Sequence, residues 1–407
     1  MKNTDVLIIG AGPSGTVAAA ILAKNGFNTT ILEKSQFPRF VIGESLLPRC
    51  MEHFETAGFI DVIESAGFQK KYGARFIKGN YISDFNFTDQ HTKGWSWTWQ
   101  VPRGEFDKLL ADEVEKRGVE IQYNTSVSHI DFDPKNPIIH YTDKSGHHKI
   151  EAKYIIDASG YGRVIPRLLN LDEPSSLPPR TAVFSHVYDH NREKGFDAER
   201  IDIITHDHGI WAWIIPFSNG MASVGFAGDM EYFSQFGSDS AALLNELIQN
   251  NPYVHKRLGN PDYVFEPKRL QGYAIGVKSL FGNRFVLTGN SAEFLDPIFS
   301  SGVTFATESA SLAAHLITKE LNGHPVDWDL EYTKHIRSGV DVFRSYIKGW
   351  YNGTLQYIFY DDNKRLDFQK QICSVLAGYV WDESNPFVRK HNTIIETVSD
   401  VLKIQNR

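Results

Sequence analysis

The chain has 407 residues, of which 42% are hydrophobic and 22% charged, and this is the composition of a soluble protein with two or three domains. Its formal net charge of −7 argues against a general nucleic-acid binder, because such proteins usually carry a basic face. No apolar stretch reaches the roughly 18 residues that a membrane span needs, so a membrane-spanning protein is also excluded.

The cysteines predict a reducing compartment and no metal centre. Cys50 and Cys373 are far apart and belong to no CxxC or metal-ligand spacing. The N-terminus, MKNTDVLIIGAG, runs directly into a predicted strand without the pattern of a targeting segment. We therefore expect a cytoplasmic location.

The first predicted unit is a strand, a glycine-rich turn, a helix and a second strand. The apolar run over 6–9 predicts a strand that is buried on both faces. Gly10, Gly12 and Gly15 form the pattern G-x-G-x-x-G, and TVAAAILAKNG then predicts a helix that a glycine ends. The next strand ends at Glu33, at the spacing of a ribose contact.

This arrangement predicts a dinucleotide site. Gly10 allows the tight turn, Gly12 lets the backbone approach a pyrophosphate, and Gly15 permits close packing of helix on strand. Pro13 and Ser14 open the helix, whose N-terminus attracts negative charge. A glycine turn in an ordinary α/β unit remains the alternative interpretation. No second G-x-G-x-x-G unit follows in the chain.

Three later segments indicate which dinucleotide binds. VPRGEFDKLL (101–110), YIIDASGYGR (154–163) and the stretch 283–317 follow the order of the FAD-dependent monooxygenase superfamily, which the chain resembles. By this resemblance Arg103 reaches the phosphates of FAD, and the last segment holds the ribityl chain and leads into a helix under the flavin. The sequence departs from the superfamily at Asn290, where aspartate is usual.

The glycine unit and the resemblance together define the candidate FAD-binding residues. They are Gly10, Gly12, Pro13, Ser14, Gly15, Glu33, Lys34, Arg39, Glu44, Ser45, Arg103, Gly289, Asn290, Pro297, Ser301, Gly302 and Val303.

Further motifs narrow the resemblance to the flavin-dependent halogenases. WAWIIP (211–216) is similar to their W-x-W-x-I-P element, where relatives of the geranylgeranyl-reductase type have aromatic-x-Trp-x-Phe-Pro. GFQKKYGARF (67–76) resembles the region of their catalytic lysine, which by position is Lys71. GESLLPR (43–49) also resembles these enzymes, and 374–388 is similar to the phenol and pyrrole halogenases.

The segment PIFSSG points away from free tryptophan as the substrate. Halogenases of tryptophan have a glutamate at the position that Phe299 occupies here. The resemblance therefore implies an electron-rich phenol or pyrrole, either free or bound to an acyl carrier protein.

The resemblance also implies the reactants. A separate NAD(P)H-dependent flavin reductase would supply FADH2, which with oxygen and chloride or bromide yields hypohalous acid. Backbone N–H groups at Ser301 and Gly302, where a helix begins, would bind the halide. That helix could instead only steady the flavin ring.

Lys71 would relay the oxidant, either as a haloamine or through an ammonium hydrogen bond. A haloamine requires a neutral amine, and burial lowers the ordinary lysine pKa of about 10.4. The alternative is a solvated lysine in the basic run KKYGAR. If this segment is extended, Lys70 points to the opposite side from Lys71.

The tryptophan pair is the third candidate catalytic feature. Trp211 and Trp213 share one face of a predicted strand that Pro216 ends. By the resemblance these rings line the passage of the oxidant and keep the substrate away from the flavin; plain core packing is the alternative. The run WSWTWQVP (95–102) predicts another strand, with Trp95, Trp97 and Trp99 on one face.

The predicted fold class is α/β, with a Rossmann-like FAD-binding domain of the glutathione-reductase type, an antiparallel substrate-binding sheet and a helical C-terminal region. The predicted boundaries are 1–75, 101–175 and 270–325 for the FAD-binding domain, 76–100 and 176–269 for the sheet, and 326–407 for the helical region, which would cover the substrate pocket.

The sequence thus predicts an FAD-dependent halogenase of secondary metabolism. Two alternatives use the same fold for a different reaction, aromatic hydroxylation or reduction of a prenyl chain. A third is a flavin-binding protein without turnover.

Overall fold

The structure is a computed structural model that describes residues 2–133, 135–207, 209–361 and 366–405. The chain forms two large β-sheets. The helices of the C-terminal region come after both sheets in the chain. This is the predicted α/β class, with parallel and antiparallel sheets and a helical C-terminal region.

The strands are β1 (Lys2–Ile9), β2 (Thr29–Leu32), β3 (Gln69–Lys71), β4 (Gly73–Lys78), β5 (Tyr81–Asn86), β6 (Thr98–Gln100), β7 (Glu120–Gln122), β8 (Ser126–Asp131), β9 (Ile138–Asp143), β10 (Gly146–Asp157), β11 (Asp172–Pro174), β12 (Arg180–Tyr188), β13 (Ile201–Thr205), β14 (Trp211–Pro216), β15 (Met221–Asp229), β16 (Lys268–Gln271), β17 (Ile275–Val277), β18 (Phe281–Gly282) and β19 (Phe285–Leu287).

The α-helices are α1 (Pro13–Lys24), α2 (Cys50–Ala57), α3 (Ile60–Ser65), α4 (Arg103–Lys116), α5 (Val164–Leu168), α6 (Met230–Ser234), α7 (Ser240–Asn250), α8 (Pro252–Leu258), α9 (Ser301–Leu321), α10 (Lys334–Tyr351), α11 (Thr354–Phe359), α12 (Leu366–Leu376), α13 (Pro386–Arg389) and α14 (His391–Gln405).

The first sheet contains the predicted strand–helix–strand unit. Its order is β18-β19-β10-β1-β2-β7, and β1 pairs in parallel with both β10 and β2. Residues 6–9 are buried, as an apolar run in a parallel strand predicts; α1 packs against β1 and β2, and α9 packs against α1. The unit matches the prediction, and it brings the glycine turn to the carboxyl ends of β1 and β2.

The second sheet is mainly antiparallel, as predicted, with one parallel pair between β13 and β4. Its order is β16-β12-β15-β14-β13-β4-β5. In β14, Trp211 and Trp213 face the main core, whereas Ala212 and Ile214 face a second core formed with α7 and α8. The prediction that the two tryptophans share one face is therefore confirmed.

The prediction that Trp95, Trp97 and Trp99 share a strand face is wrong. Strand β6 covers only 98–100, because its partner β3 is three residues long and gives the preceding residues no ladder to join. The three rings instead contact one another edge to face, with centroids 5.6 and 5.0 Å apart.

The predicted domain boundaries stay predictions, although the strands lie close to them. The second sheet begins at Gly73 and its last strand ends at Gln271. The region 326–407 is helical where it is described; residues 362–365 and 406–407 lie outside the described residues. Its aromatic side chains Trp350 and Phe359 pack against Phe76 of β4.

A buried ionic cluster fastens α8 to the second sheet. The carboxylate of Asp202 on β13 accepts hydrogen bonds from Arg75 Nε at 2.7 Å, Arg257 Nη1 at 2.8 Å and the Tyr253 hydroxyl at 2.9 Å. Asp202 is fully buried. Removing one member of such a cluster leaves the others charged and desolvated.

We therefore expect Asp202→Asn to lower the free energy of unfolding by about 3–5 kcal/mol in chemical denaturation, because the buried guanidinium groups of Arg75 and Arg257 both lose this carboxylate, although Arg257 keeps its ion pair with Asp189. Asp112→Asn is the matched control: its pair with Lys108 is half exposed, and the expected change is within about 0.5 kcal/mol. Equal losses in the two variants would contradict this account of the cluster.

Candidate functional site

A cavity of about 400 Å³ opens between the two sheets, at the carboxyl ends of β1 and β2 and the start of α9. Every predicted FAD-binding residue except Gly15 lines this cavity, and so do Trp211 and Trp213. Gly15 has a packing position instead: a Cβ there would lie 1.9 Å from the Gly10 carbonyl oxygen, so only glycine lets α1 approach the turn.

The glycine turn presents backbone and one carboxylate to the cavity. Gly10 has φ +100°, which favours glycine, and α1 begins directly after Gly12. The buried carboxylate of Glu33 accepts hydrogen bonds from the Ala11 and Ser35 N–H groups, both at 2.9 Å. These bonds fix Glu33 at the end of β2, where a ribose hydroxyl of a bound nucleotide would lie.

Two arginines converge beside this turn. Arg39 Nη1 donates to Asp107 at 2.9 Å, and Arg103 donates to the same carboxylate through Nε at 2.7 Å and Nη2 at 3.0 Å. A Cβ at Gly12 would lie 3.6 Å from Arg39 Nη2, so the Gly12 backbone faces this basic group. Asp107 offsets one of the two guanidinium charges and Glu33 lies 3.9 Å from Arg39 Nε, but guanidinium groups have N–H donors that suit a pyrophosphate, and we call the two arginines the basic edge.

The segment 289–290 lies beside the start of α1, where Ser14 Oγ donates to the neighbouring Thr288 Oγ1 at 2.8 Å. Gly289 has φ +57°, and its N–H donates to Ser309 Oγ of α9 at 2.9 Å. The Asn290 carbonyl accepts a hydrogen bond from Arg163 Nη1 at 3.0 Å. Arg163 is a structural contributor that the sequence analysis did not single out, although it ends the YIIDASGYGR motif.

Helix α9 begins at the edge of the cavity. Ser300 precedes it in the left-handed conformation, with φ +57°, and Ser301, Gly302 and Val303 form the first turn. The backbone N–H groups of this turn have no carbonyl partner inside the helix, which makes the turn attractive to an anion.

The two indoles of β14 are held in place by hydrogen bonds. Trp211 Nε1 donates to the Tyr351 hydroxyl at 3.0 Å, and that hydroxyl donates to Asp296 Oδ2 at 3.0 Å. Tyr273 donates to the same carboxylate oxygen at 3.2 Å, and burial raises the pKa of Asp296. This network joins the tryptophan strand to the segment that precedes α9.

Trp213 is fixed independently, because its Nε1 donates to Ser223 Oγ at 3.1 Å. The Trp211 and Trp213 rings lie 5.4 Å apart at an angle of 44°, and both are nearly inaccessible to bulk solvent. The pair therefore forms a rigid wall of the cavity. Sequence spacing places both rings on one face but gives no sign of Tyr351 or Asp296, which come from distant segments.

Lys71 does not line the cavity. It lies on β3 and is 1% exposed, and its Nζ donates to the Leu46 carbonyl at 2.8 Å. The neighbouring Ser45 does line the cavity, so one residue of backbone separates the two environments. Burial lowers the pKa of Lys71 from 10.5 to about 7, and the solvated alternative is therefore wrong.

Lys70 points to the opposite side, as predicted. It is partly exposed, its Nζ donates to Glu64 at 2.9 Å, and it lies 4.4 Å from the centre of the Trp97 ring. Adjacent lysines thus have opposite environments, one partly exposed and the other buried.

Glu44 forms a contact that the sequence did not predict. One carboxylate oxygen is hydrogen-bonded to His186 Nε2, a residue of β12, and the other has no hydrogen-bond partner in the part of the chain that the structure describes. Ser45 Oγ is likewise without a partner. Both residues are buried and line the cavity, so this wall offers polar atoms to a ligand. Together with the basic edge and Glu33, the residues fit a dinucleotide that carries a polar ring system.

Neither a metal site nor a membrane-crossing helix is found in the described part of the chain. No group of three or more His, Cys, Asp and Glu side chains there is arranged to hold a metal ion. None of the helices described combines the length and apolar character that a bilayer crossing requires.

Comparison with known proteins assigns the family. Residues 3–340 match the family model of the FAD binding domain. A 1H-pyrrole-2-carbonyl-[peptidyl-carrier protein] chlorinase of Pseudomonas fluorescens is 27% identical over 403 residues, which cover 93% of this chain and 89% of the relative.

Two further proteins are similar over most of the chain. A flavin-dependent halogenase of Armillaria mellea is 30% identical over 349 residues, with 79% of this chain and 68% of the relative covered. A crystal structure described as a flavoprotein/dehydrogenase of Cytophaga hutchinsonii has 49% identity and a TM-score of 0.97, with both chains covered completely.

The carboxyl-end cavity, its basic edge and these relatives agree on one cofactor, FAD, with halide as co-substrate. The chain is an FAD-dependent enzyme that belongs to the flavin-dependent halogenase family.

Proposed function

We propose that this enzyme halogenates an electron-rich aromatic ring, a phenol or a pyrrole, and that Lys71 relays the halogen to it. The observation that carries the proposal is the buried Lys71 amine, 1% exposed and one residue of backbone away from the FAD cavity. Ordinary lysines face water, so a buried amine beside a cofactor cavity favours a chemical role.

We propose that a separate NAD(P)H-dependent flavin reductase supplies FADH2. When bound, FADH2 would provide hypohalous acid from oxygen and chloride or bromide. The first turn of α9, at Ser301 and Gly302, offers backbone N–H groups to the halide. The predicted FAD contacts of the cavity residues belong to the same proposal.

Lys71 has two ways to use the oxidant. As a neutral amine it attacks the halogen and becomes a haloamine, and as an ammonium it donates a hydrogen bond to hypohalous acid. Burial, which lowers the pKa of Lys71 to about 7, supports the haloamine, because a large part of the amine is then unprotonated near neutral pH.

Trp211 and Trp213 would separate the flavin from the aromatic substrate. Their hydrogen bonds to Tyr351 and Ser223 hold both rings against the cavity, so a large substrate meets a fixed wall. A small oxidant can pass where a ring cannot. This barrier favours halogenation over direct hydroxylation of the substrate at the flavin.

Two observations support a phenol or pyrrole as the substrate. Phe299 packs among Phe76, Tyr346 and Trp350, so an apolar ring occupies the position at which tryptophan halogenases have a glutamate. The Pseudomonas relative is named for a pyrrole that is bound to a peptidyl carrier protein. We extend this substrate class to the present enzyme, with the aromatic acid delivered on a carrier protein.

Redox chemistry without halogen is the second candidate, because the protein that is 49% identical over the whole chain is described as a dehydrogenase. Hydroxylation and prenyl-chain reduction fall in this group. A flavin binder without turnover is the remaining alternative.

We expect the enzyme, given FAD, a flavin reductase, NADH and bromide, to brominate members of a panel of phenols and of pyrrole-2-carboxyl thioesters. Lys71→Ala should lower brominated product by about 100-fold or more, because the relay is lost. Lys70→Ala, the exposed neighbour, should retain wild-type turnover. Mass spectrometry reads the bromine isotope pattern. Bromination that survives Lys71→Ala unchanged would overturn the relay, and hydroxylated or reduced products would favour the second candidate.

The shifted amine should also affect stability. A lysine whose folded-state pKa is lowered destabilises the folded protein while the amine is charged. This destabilisation is fully present below pH 7 and is relieved as pH rises from about 7 toward 10.5. Lys71→Met removes this cost, so the gain in free energy of unfolding from Lys71→Met should be largest at pH 7 or below and shrink toward pH 10. Denaturation at several pH values measures it, with Lys70→Met, at the partly exposed neighbouring position, as the control. A difference that is constant with pH for Lys71→Met would show an unshifted amine.

Substitution of the wall should change the product. We expect Trp211→Phe and Trp213→Phe to lower the ratio of halogenated to hydroxylated product several-fold, since each opens the wall and loses one hydrogen bond. Trp328→Phe is the matched control: Trp328 is also buried and hydrogen-bonded, to Glu320 at 2.9 Å, but lies away from the cavity. Product analysis by chromatography decides; lower stability with an unchanged product ratio would reduce the pair to core packing.

A further inference from the structure

Lys71 belongs to a small ribbon of three extended segments. Strand β3 pairs antiparallel with β6, which places Lys71 opposite Thr98. The segment 44–46 joins the other edge of β6 through a bridge between Ser45 and Gln100. Two backbone hydrogen bonds fix this edge, Leu46 N to the Trp99 carbonyl at 3.1 Å and Val101 N to the Glu44 carbonyl at 2.8 Å.

One face of the ribbon is polar. Residues that lie directly opposite each other in antiparallel strands point to the same side, and so do residues two apart. This face therefore carries a continuous row of polar side chains, which we call the polar row: Ser45, Gln100, Thr98 and Lys71. Ser45 lies at the cavity end and Lys71 at the other.

The polar row has hydrogen-bonding capacity that the protein leaves unused. Among the described residues, Ser45 Oγ, Thr98 Oγ1 and Gln100 Oε1 have no hydrogen-bond partner, although Thr98 and Gln100 are fully buried and Ser45 nearly so. A buried polar atom without a partner is costly, and three on one face of one ribbon point to a polar guest.

The chemistry of Gln100 restricts that guest. Its Nε2 donates to the Glu199 carbonyl at 2.7 Å, and because a carbonyl can only accept, this bond fixes the orientation of the amide. The free atom is therefore the acceptor Oε1, which needs a donor. A halide ion has no hydrogen to donate, whereas a neutral hydroxyl compound has one.

We propose that Thr98 and Gln100 hold hypohalous acid beside Lys71, and that the polar row leads it there from the FAD cavity. This inference rests on the halogenase function proposed above. Gln100 Oε1 accepts the O–H of the acid, and the Thr98 hydroxyl donates to its oxygen. These two contacts turn the halogen of HO–X away from the polar side chains and leave it free for the amine.

The step balances without a further reactant. The unprotonated Lys71 nitrogen attacks the halogen, the N–X bond forms and the O–X bond breaks, and one amine proton goes to the departing oxygen: HO–X plus R–NH2 gives R–NHX plus water. The donor hydrogen bond from Thr98 stabilises the negative charge that develops on this oxygen. The haloamine then transfers the halogen to the aromatic carbon, whose proton returns to the nitrogen, and the amine is regenerated.

Treatment of FAD-free protein with hypobromous acid tests the site without turnover. After a dose below one equivalent, the protein is unfolded in the presence of an aryl sulfinate, which converts haloamines into stable sulfonamides. Peptide mass spectrometry then gives the ratio of Lys71 to Lys70 labelling, with the exposed Lys70 as the internal reference.

We expect Thr98→Val and Gln100→Leu each to lower this ratio about fivefold, the factor that one lost hydrogen bond represents. Thr98→Ser, which keeps the hydroxyl, should restore it. Thr181→Val is the matched control, because Thr181 is also a fully buried strand threonine with an unpartnered hydroxyl among the described residues, but it lies on β12, outside the ribbon that contains Lys71. Its ratio should equal that of the wild type. Equal ratios in the wild type, Thr98→Val and Gln100→Leu would overturn the proposal.

Turnover of the FAD-loaded enzyme distinguishes a failure of the proposed function from a failure of the role proposed for the polar row. With the wild type active, Thr98→Val should lower brominated product and raise the hypobromous acid that a scavenger captures in solution. An inactive wild type whose labelling ratio still falls in Thr98→Val would refute the proposed function and support the polar row. An active wild type with unchanged product and unchanged leakage in Thr98→Val would refute the polar row alone.

Discussion

The hydrogen bond from Lys71 Nζ to the Leu46 carbonyl joins the two halves of the candidate site, because Leu46 follows the cavity-lining Ser45 and Lys71 lies behind it. A buried ammonium is costly to desolvate and gains only one neutral oxygen from this contact. The pKa of Lys71 therefore falls to about 7. In the proposed halogen relay, burial of this one amine would supply the reactivity that the relay requires.

The remaining parts of the site are arranged around this amine by two different kinds of support. The parallel sheet brings the glycine turn, Glu33 and the start of α9 to one edge, which is the usual place for a ligand in an open α/β sheet. The second sheet contributes Trp211 and Trp213 as a wall. The carboxylate of Asp296 connects the two, because it receives Tyr351 and Tyr273 and lies just before α9. Asp296 thus links the wall by hydrogen bonds to the segment that precedes α9, where we propose that the halide binds.

Local patterns in the sequence were sufficient wherever the structure depends on neighbours along the chain. The strand–helix–strand unit, the common face of Trp211 and Trp213 and the opposite directions of Lys70 and Lys71 all follow from strand and helix periodicity. The prediction for Trp95 and Trp97 was wrong because strand length depends on a partner strand and not on local spacing. A strand extends only as far as its partner, and the spacing of the tryptophans does not predict that β3 is three residues long.

By itself, the sequence determined the dinucleotide fold, the residues that gather at its edge and, through motif resemblance, the halogenase family. Only the tertiary structure decided that Lys71 is buried, that Asp296 and Tyr351 fix Trp211, and that Thr98 and Gln100 face Lys71 with unused hydrogen-bonding atoms. The physical reason is that burial and pairing are properties of segments far apart in the chain. A lysine in a basic run has the same local pattern whether it meets water or the inside of a ribbon, and only the packing of distant strands sets its pKa.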